Sequence, residues 1–343
     1  MITGLFTTQQ IQSAAQSLDK ADNIVILTHM SPDGDAMGSS LALKHYLTIL
    51  GKKQVSVIVP NAFPDFLAWL PGAADILIYE QKPDECAALM LKADLLFCLD
   101  FNAPKRIGKL GPLLEQSSVP KILIDHHIDP EDMADVAMSY PSATSTCELV
   151  YRFIFQMGHA ALIDHNTAVC LYTGLMTDTG NFSYNSNHAE LYNIIAELIR
   201  LGVDKDAIYN QVFNTWSPER LRLTGYCLYH KMRLFKHNKR NSLALIALSA
   251  QELKRFNFKS GDAEGLVNLP MQIGDVYLSV MMREDTDKIK ISFRSQGDHP
   301  VNEFAAKYFN GGGHKNAAGG EFYGPLDDAV RLLEQKMQEL FSL

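Results

Sequence analysis

The feature that most constrains this chain is the alternation of short apolar runs with helix-like segments up to about residue 200. The apolar runs are "NIVILTH" (23–29), "VSVIVP" (55–60), "ILIY" (76–79), "LLFCLD" (95–100) and "KILIDHH" (121–127). Strands separated by helices form parallel sheets, and near-continuous apolar strands are buried on both faces. The pattern predicts an α/β domain whose parallel sheet has helices on both faces.

The pattern changes after about residue 230, where paired strands replace the alternation. The sequence predicts a hairpin around the polar turn "KHNKRN", a second hairpin at 276–295, a helix at 301–309 and a final helix at 325–341. These elements indicate a smaller α+β domain. We therefore predict a catalytic domain at 1–200, a helical connector at 201–229 and a second domain at 230–343.

Composition excludes several classes of protein. The formal net charge is −8, which argues against a protein that binds long duplex nucleic acid through Lys and Arg. No apolar run approaches the roughly 18 residues that span a membrane, and the first residues lack a signal-peptide pattern. The five cysteines are widely spaced, so we expect them to be packing residues. We expect a cytoplasmic protein with no membrane partner.

Acidic and histidine residues follow the predicted strands of the first domain. After predicted strands, the chain has His29, Asp33 and Asp35 in "THMSPDGDAMGS", Asp100 in "LLFCLD", and Asp125, His126 and His127 in "ILIDHHID". Asp178 in "LMTDTGNF" follows a predicted helix. The carboxyl ends of parallel strands meet at one edge of a sheet, where ligands bind. Taken singly, these residues are also typical of turns, helix caps and loops.

Convergence of so many carboxylates and imidazoles requires neutralising cations, because buried like charges repel one another. Oxygen and imidazole ligands without thiolates favour Mn²⁺, Mg²⁺ or Fe²⁺ over structural zinc. The number of ligands fits two ions that share a carboxylate, an arrangement that promotes in-line phosphoryl displacement. We therefore predict two divalent cations, with Mn²⁺ preferred and Mg²⁺ as the alternative.

A second signal lies in "RSQGDHPVNEFAAKYFNGGGHKNAAGG" (294–320). Glycines let backbone N–H groups approach a phosphate, and small residues after His314 are interpreted as the start of a helix whose dipole favours an anion. Arg294 and His314 can supply further donors to a phosphate. The alternative is a flexible turn before an Ala-rich packing helix.

In these motifs the chain resembles the DHH/DHHA1 phosphoesterase family over nearly its whole length. The resemblance rests on "THMSPDGDAMGS", on Asp100 followed by Arg106 in "LDFNAPKRIG", on "DHH", on "MTDTGNF" and on "RS…VN…GGGHKNAAGG". It implies a larger domain that holds two metals and a smaller domain that closes over the cleft to bind substrate. Asn310 stands where the family often has a further glycine.

The resemblance also implies roles for single residues. It assigns His29 and Asp33 to one metal, Asp35, His126 and Asp178 to the other, and Asp100 to both. It makes Asp100, Arg106 and His127 catalytic, with His127 facing the phosphate or its leaving oxygen, and it leaves Asp125 to orient a ligand. The residues expected to grip a nucleotide are Arg294, Asn302, Gly312, Gly313 and His314.

Within the family, the length of the chain favours the stand-alone nanoRNase type. Such enzymes degrade very short oligoribonucleotides, and many remove phosphate from 3′-phosphoadenosine 5′-phosphate (PAP), through attack by a metal-activated hydroxide. The alternatives are a phosphodiesterase for cyclic di-AMP or its linear product pApA, and a catalytically silent nucleotide-binding module. Family members often form homodimers, so a homodimer is compatible with this assignment.

Overall fold

A computed structural model describes residues 4–238, 240–259 and 261–342. Contacts between residues divide the chain into two compact units, Met1–Thr215 and Trp216–Leu343. The predicted division into two domains and a connector stays a prediction. Residue 239, in the predicted turn of the first hairpin, lies outside the described residues.

The first unit is built on a six-stranded sheet whose neighbouring strands all run parallel. Its strands are β1 (Asn23–Leu27), β2 (Gln54–Val59), β3 (Leu77–Ile78), β4 (Leu95–Leu99), β5 (Lys121–Asp125) and β6 (Val136–Ser139). Their order is β3-β2-β1-β4-β5-β6. The order reverses between β1 and β4, and ligands bind at such reversals, beyond the carboxyl ends of the strands.

Helices cover both faces of this sheet. They are α1 (Thr8–Lys20), α2 (Gly34–Ile49), α3 (Pro83–Lys92), α4 (Gly111–Gln116), α5 (Thr146–Gln156), α6 (His165–Asp178), α7 (Ala189–Arg200) and α8 (Lys205–Phe213). Along β1, Ile24 and Ile26 pack with residues of α2, α5 and α6, whereas Val25 and Leu27 pack with residues of α3 and α4. The predicted parallel α/β fold is confirmed.

The second unit contains a six-stranded mixed sheet in the order β11-β12-β10-β9-β8-β7. Its elements are α9 (Pro218–Tyr226), β7 (Arg233–His237), β8 (Arg240–Leu248), α10 (Ala250–Arg255), β9 (Leu278–Glu284), β10 (Ile289–Ser295), α11 (Val301–Tyr308), β11 (Gly312–His314), β12 (Ala317–Phe322) and α12 (Leu326–Ser342). Neighbouring strands are antiparallel except β8 and β9. Both predicted hairpins are present, and the smaller α+β fold is confirmed.

One prediction for this unit is wrong: the small residues after His314 do not open a helix. Residues 317–322 form β12, which pairs with β10 on one side and with β11 on the other. Small side chains are needed here because the backbone approaches closely. A Cβ atom on Gly311 would lie 2.1 Å from the carbonyl oxygen of Gly319, and one on Gly320 would lie 2.9 Å from that of Phe309.

Three further findings concern the sequence predictions. Strand β6 was not predicted. All five cysteines are buried and free, as expected of packing residues. Among the described residues, the helices lack the combination of length and apolar character needed to cross a membrane.

Candidate metal centre

Asp100, the first residue after β4, occupies the middle of the site. Its side chain is 2% exposed, and its backbone adopts a left-handed φ of 64°. Non-glycine residues seldom adopt this conformation, and such strain is often found at functional sites. Oδ2 of Asp100 lies 3.3 Å from His29 Nε2, and Oδ1 lies 3.5 Å from His126 Nε2. The two oxygens thus face two different imidazoles.

His29 and Asp33 flank one side of Asp100. His29 follows β1, and its Nδ1 lies 3.0 Å from the carbonyl oxygen of Met30. Because a carbonyl oxygen only accepts, Nδ1 carries the proton and Nε2 faces the carboxylates. Asp33 is the N-cap of α2, where its Oδ1 accepts from the backbone N–H of Asp35 and Ala36. The cap holds the Asp33 carboxylate 3.8 Å from His29 Nε2.

Asp35, His126 and Asp178 gather on the other side of Asp100. His126 Nε2 lies 3.9 Å from Asp35 Oδ2 and 3.6 Å from Asp178 Oδ2. His126 follows β5, Asp35 lies in the first turn of α2, and Asp178 is the last residue of α6. Three separate elements therefore deliver these side chains to the edge of the sheet that the topology favours.

Glycines let helices α2 and α6 approach closely enough to bring Asp35 towards Asp178. A Cβ atom on Gly38 of α2 would lie 2.5 Å from the carbonyl oxygen of Cys170 in α6. A Cβ atom on Gly174 of α6 would lie 2.9 Å from Asp35 Oδ1. Larger residues at either position would force the two helices apart.

Sequence reasoning missed the residues that hold Asp35 in place. The backbone N–H of Thr146 donates to Asp35 Oδ2 at 2.6 Å, and that of Cys147 donates to Oδ1 at 2.9 Å. Both belong to the first turn of α5, whose N–H groups have no partner within the helix and favour an anion. A buried carboxylate in this position was not visible from the sequence, because it depends on the packing of α2 against α5.

The close packing of buried carboxylates and imidazoles shifts the pKa values of the two histidines in the cluster. Burial lowers the pKa of His29, but hydrogen bonds with Asp100 and Asp33 outweigh burial and raise it to about 10. Burial also lowers the pKa of His126, whereas neighbouring carboxylates, first that of Asp178, raise it to about 9.

The carboxylates respond in different ways. Burial raises the pKa of Asp178 to about 7, and burial together with the charges of Asp100 and Asp178 raises that of Asp35 well above its usual range. Burial also opposes ionisation of Asp100, but hydrogen bonding with His29 leaves its pKa lowered. Shifts of this size in one cluster are typical of a functional site.

Three overlapping sets of ligand atoms share Asp100. One set is His29, Asp33 and Asp100, a second is Asp35, Asp100 and His126, and a third is Asp100, Asp125 and His127. Within each set the ligand atoms lie within 4.8 Å of one another. Asp178 lies beside His126, next to the second set. Oxygen and imidazole donors in this arrangement fit divalent metal ions.

His127 forms a hydrogen bond with its neighbour Asp125. Its Nδ1 lies 2.7 Å from Asp125 Oδ1, and its backbone N–H donates to Asp125 Oδ2 at 3.1 Å. The carboxylate fixes the orientation of the His127 ring. A guanidinium nitrogen of Arg106 lies 3.4 Å from His127 Nε2, so the structure brings these predicted residues together.

The predicted nucleotide-binding residues belong to the second unit. Arg294 lies in β10 opposite Ala317, and Asn302 lies in the first turn of α11. Gly312, Gly313 and His314 form β11. Gly313 has a φ of 132°, which favours glycine. Gly312 is exposed, and among the described residues beyond its two chain neighbours no atom lies within 4 Å of a Cβ position.

Among the described residues, Asn302 Oδ1 is buried without a hydrogen-bond partner. A buried amide oxygen without a partner is unfavourable and often indicates a site that a ligand or water completes. This observation agrees with a polar ligand near the start of α11.

Comparisons with known proteins agree with this architecture. The DHH family, N-terminal domain, matches residues 23–175, and the DHHA1 domain matches residues 244–340. The bifunctional oligoribonuclease and PAP phosphatase NrnA of Thermus thermophilus is 32% identical over 319 residues, which cover 92% of this chain and 90% of that protein.

Solved structures show the same fold. An exopolyphosphatase-related protein from Bacteroides fragilis is 48% identical, with a TM-score of 0.92 over 98% of each chain. RecJ from Thermus thermophilus in complex with Mn²⁺ is 12% identical, with a TM-score of 0.58 over 100% of this chain and 56% of that one. The chain therefore belongs to the DHH/DHHA1 family of phosphoesterases.

Proposed function

We propose that this chain is a two-metal phosphoesterase that hydrolyses very short oligoribonucleotides and removes phosphate from PAP. Family membership places it among hydrolases that act on phosphoester bonds, as predicted. The substrates are inferred from its relative in Thermus thermophilus, which is named an oligoribonuclease and PAP phosphatase. The observation that carries the proposal is the buried carboxylate of Asp100, shared by the set with His29 and Asp33 and the set with Asp35 and His126.

In this proposal, His29 and Asp33 hold one cation, Asp35, His126 and Asp178 hold the other, and Asp100 contacts both. Mn²⁺ is the preferred ion and Mg²⁺ the alternative, because the donors are oxygens and imidazoles without thiolates. When bound, two such cations supply a water nucleophile of lowered pKa and neutralise charge on the phosphoryl oxygens.

The chain's own residues then orient the reacting groups. Asp125 holds the His127 ring through Nδ1, so that a protonated His127 is balanced by a carboxylate while it donates a proton to the leaving oxygen. Arg106, beside His127, contributes a guanidinium that can contact a phosphate oxygen.

The second unit supplies the grip on the nucleotide. Arg294 and His314 donate to phosphate oxygens, and the backbone of Gly312 and Gly313 approaches the phosphate closely. The amide oxygen of Asn302, which is buried and has no hydrogen-bond partner among the described residues, supports a polar ligand contact in this unit. A small nucleotide suits a chain with net charge −8, which has little capacity to bind a long polyanion.

The proposal is tested by turnover on a panel of substrates with Mn²⁺. The panel contains a labelled RNA ladder from dinucleotides to long oligomers, PAP, pApA and cyclic di-AMP. We expect the highest kcat/KM on the shortest RNA species and measurable release of phosphate from PAP.

Two results would separate the levels of the proposal. Equal rates along the ladder would remove the preference for short RNA and leave the phosphoesterase assignment standing. A much higher kcat/KM on cyclic di-AMP or pApA would favour the alternative substrates. A cytoplasmic location and a homodimer stay predictions that this panel does not address.

A further inference from the structure

Thr146, the first residue of α5, contacts two carboxylates of the metal centre. Its hydroxyl donates to Asp100 Oδ1 at 2.8 Å, and its backbone N–H donates to Asp35 Oδ2 at 2.6 Å. The residue is fully buried. Thr146 was not among the residues predicted to act at the site.

The position of Thr146 in its helix explains why its hydroxyl can reach Asp100. Inside a helix, a threonine hydroxyl usually bonds to a carbonyl oxygen of the preceding turn. At the first helical residue there is no preceding turn, and the capping role is taken by Ser145, whose side chain accepts from the N–H of Glu148. The Thr146 hydroxyl is therefore directed to a partner outside the helix.

A buried ion pair fixes the start of this helix. Glu148 accepts from the backbone N–H and the hydroxyl of Thr144, both at 2.8 Å, and from Arg152 Nε at 2.8 Å. Both charged side chains are nearly inaccessible, with exposures of 2% for Glu148 and 5% for Arg152. The bonds from the Thr144 backbone N–H and from Arg152 remain when the Thr144 hydroxyl is removed, so the donor at Thr146 keeps a defined position without that hydroxyl.

The hydrogen bond to Oδ1 determines how the Asp100 carboxylate is turned. With Oδ1 held by Thr146, the other oxygen points to His29. If the carboxylate presents one oxygen to each of two cations, rotation about its side chain would remove both contacts. Groups that hold ligands in this way affect metal affinity strongly.

We propose that Thr146 is a positioning residue, whose hydroxyl orients Asp100 so that both cations bind. The inference rests on the proposed two-metal site. According to this inference, metal affinity depends on the hydroxyl group of Thr146 and not on the shape of its side chain.

The test compares Thr146→Val, Thr146→Ser and a matched control, Thr144→Val. The control removes an equally buried hydroxyl, also bonded to a carboxylate at 2.8 Å, two residues away and without contact to Asp100. Mn²⁺ affinity and stoichiometry are measured by titration calorimetry and the Mn²⁺ environment by electron paramagnetic resonance. Urea unfolding reports on the fold of each variant.

We expect Thr146→Val to weaken Mn²⁺ binding about 10- to 100-fold, the range typical of groups that hold metal ligands. Thr146→Ser should restore most of the affinity, and Thr144→Val should bind Mn²⁺ like the wild type. Unchanged binding in Thr146→Val, no rescue by serine, or an equal loss in Thr144→Val would each overturn the inference. A wild-type chain that binds no Mn²⁺ would overturn the proposed function with it.

Discussion

At the level of single residues, the conformation of Asp100 explains how one side chain can serve two sets of ligands. The left-handed φ of 64° turns the residue after β4 so that its carboxylate lies between His29 and His126. Aspartate and asparagine adopt this conformation at lower cost than most residues, because their short polar side chains tolerate it. The position thus suits Asp both conformationally and chemically.

This reasoning makes Asp100→Asn a cleaner test than alanine. Asparagine keeps the backbone conformation and the volume but removes the charge. Two-metal catalysis supplies several kcal/mol of transition-state stabilisation, so we expect kcat with Mn²⁺ to fall about 10³-fold or more. Steady-state kinetics check this, with the exposed Asp75→Asn as control. Wild-type kcat in Asp100→Asn would contradict the role of the carboxylate.

The raised pKa values predict a pH dependence of metal binding. Below a pKa of about 10 for His29, about 9 for His126 and about 7 for Asp178, a proton occupies a group that must be deprotonated to bind metal. Mn²⁺ affinity should therefore rise between about pH 6 and about pH 10, with proton release on binding. Calorimetry in buffers of different ionisation enthalpy measures the Mn²⁺ affinity and the number of protons released. A flat pH profile without proton release would contradict the assigned ligands.

The ligand candidates could be found from the sequence because polar residues directly follow apolar runs that are too short for helices. His29, Asp100 and His126 all stand at such junctions. Thr146 could not be found in this way. In the sequence it is one of several hydroxyl residues at a helix start, and only the packing of α5 beside β4 shows which one reaches Asp100.

At the level of helices and strands, local composition was ambiguous where tertiary contacts decide the outcome. "AAGG" after His314 fits either a packing helix or a strand in a crowded sheet, and alanine favours the helix in isolation. Pairing with β10 and β11 selects the strand. The sequence alone does not show which strands pair with this segment, because β10 is distant in sequence and pairing with β11 depends on the turn between the two strands.

The crowding predicts that only one of two adjacent substitutions lowers stability. Gly311→Ala would place a Cβ atom 2.1 Å from the carbonyl oxygen of Gly319. In the described part of the chain, a Cβ atom on Gly312 would meet no atom within 4 Å beyond its own chain neighbours. We expect Gly311→Ala to lower the free energy of unfolding by about 1–3 kcal/mol, and Gly312→Ala to change it little. Urea unfolding of both variants decides the matter, and equal stabilities would mean that the strands do not approach as described.

At the level of the whole molecule, the alternation of strands and helices predicted the parallel sheet but not the order of its strands. The order places β1 next to β4, so that His29, which follows β1, and Asp100, which follows β4, become neighbours. Alternation carries no information about which strands pair, and the short β6, joined to β5 without an intervening helix, left no recognisable signal. The alternation alone therefore predicted the edge of the sheet where the site lies, but not which residues are neighbours there.

The charge of the chain predicts its behaviour towards long nucleic acids. With 31 Lys and Arg against 39 Asp and Glu, few cations are available to neutralise a row of phosphates. We expect weak binding to duplex DNA, with a shallow dependence on salt concentration. Fluorescence anisotropy with a labelled duplex measures this, and tight binding with a steep salt dependence would contradict the expectation.

The central claim is that carboxylates and imidazoles from separate elements of the first unit surround a pair of divalent cations. Crystals soaked with Mn²⁺ and measured at the manganese absorption edge test it most directly. The account predicts two anomalous peaks, one on each side of Asp100, with His29 next to one and His126 next to the other. A single peak, or none within coordination distance of Asp100, would contradict it.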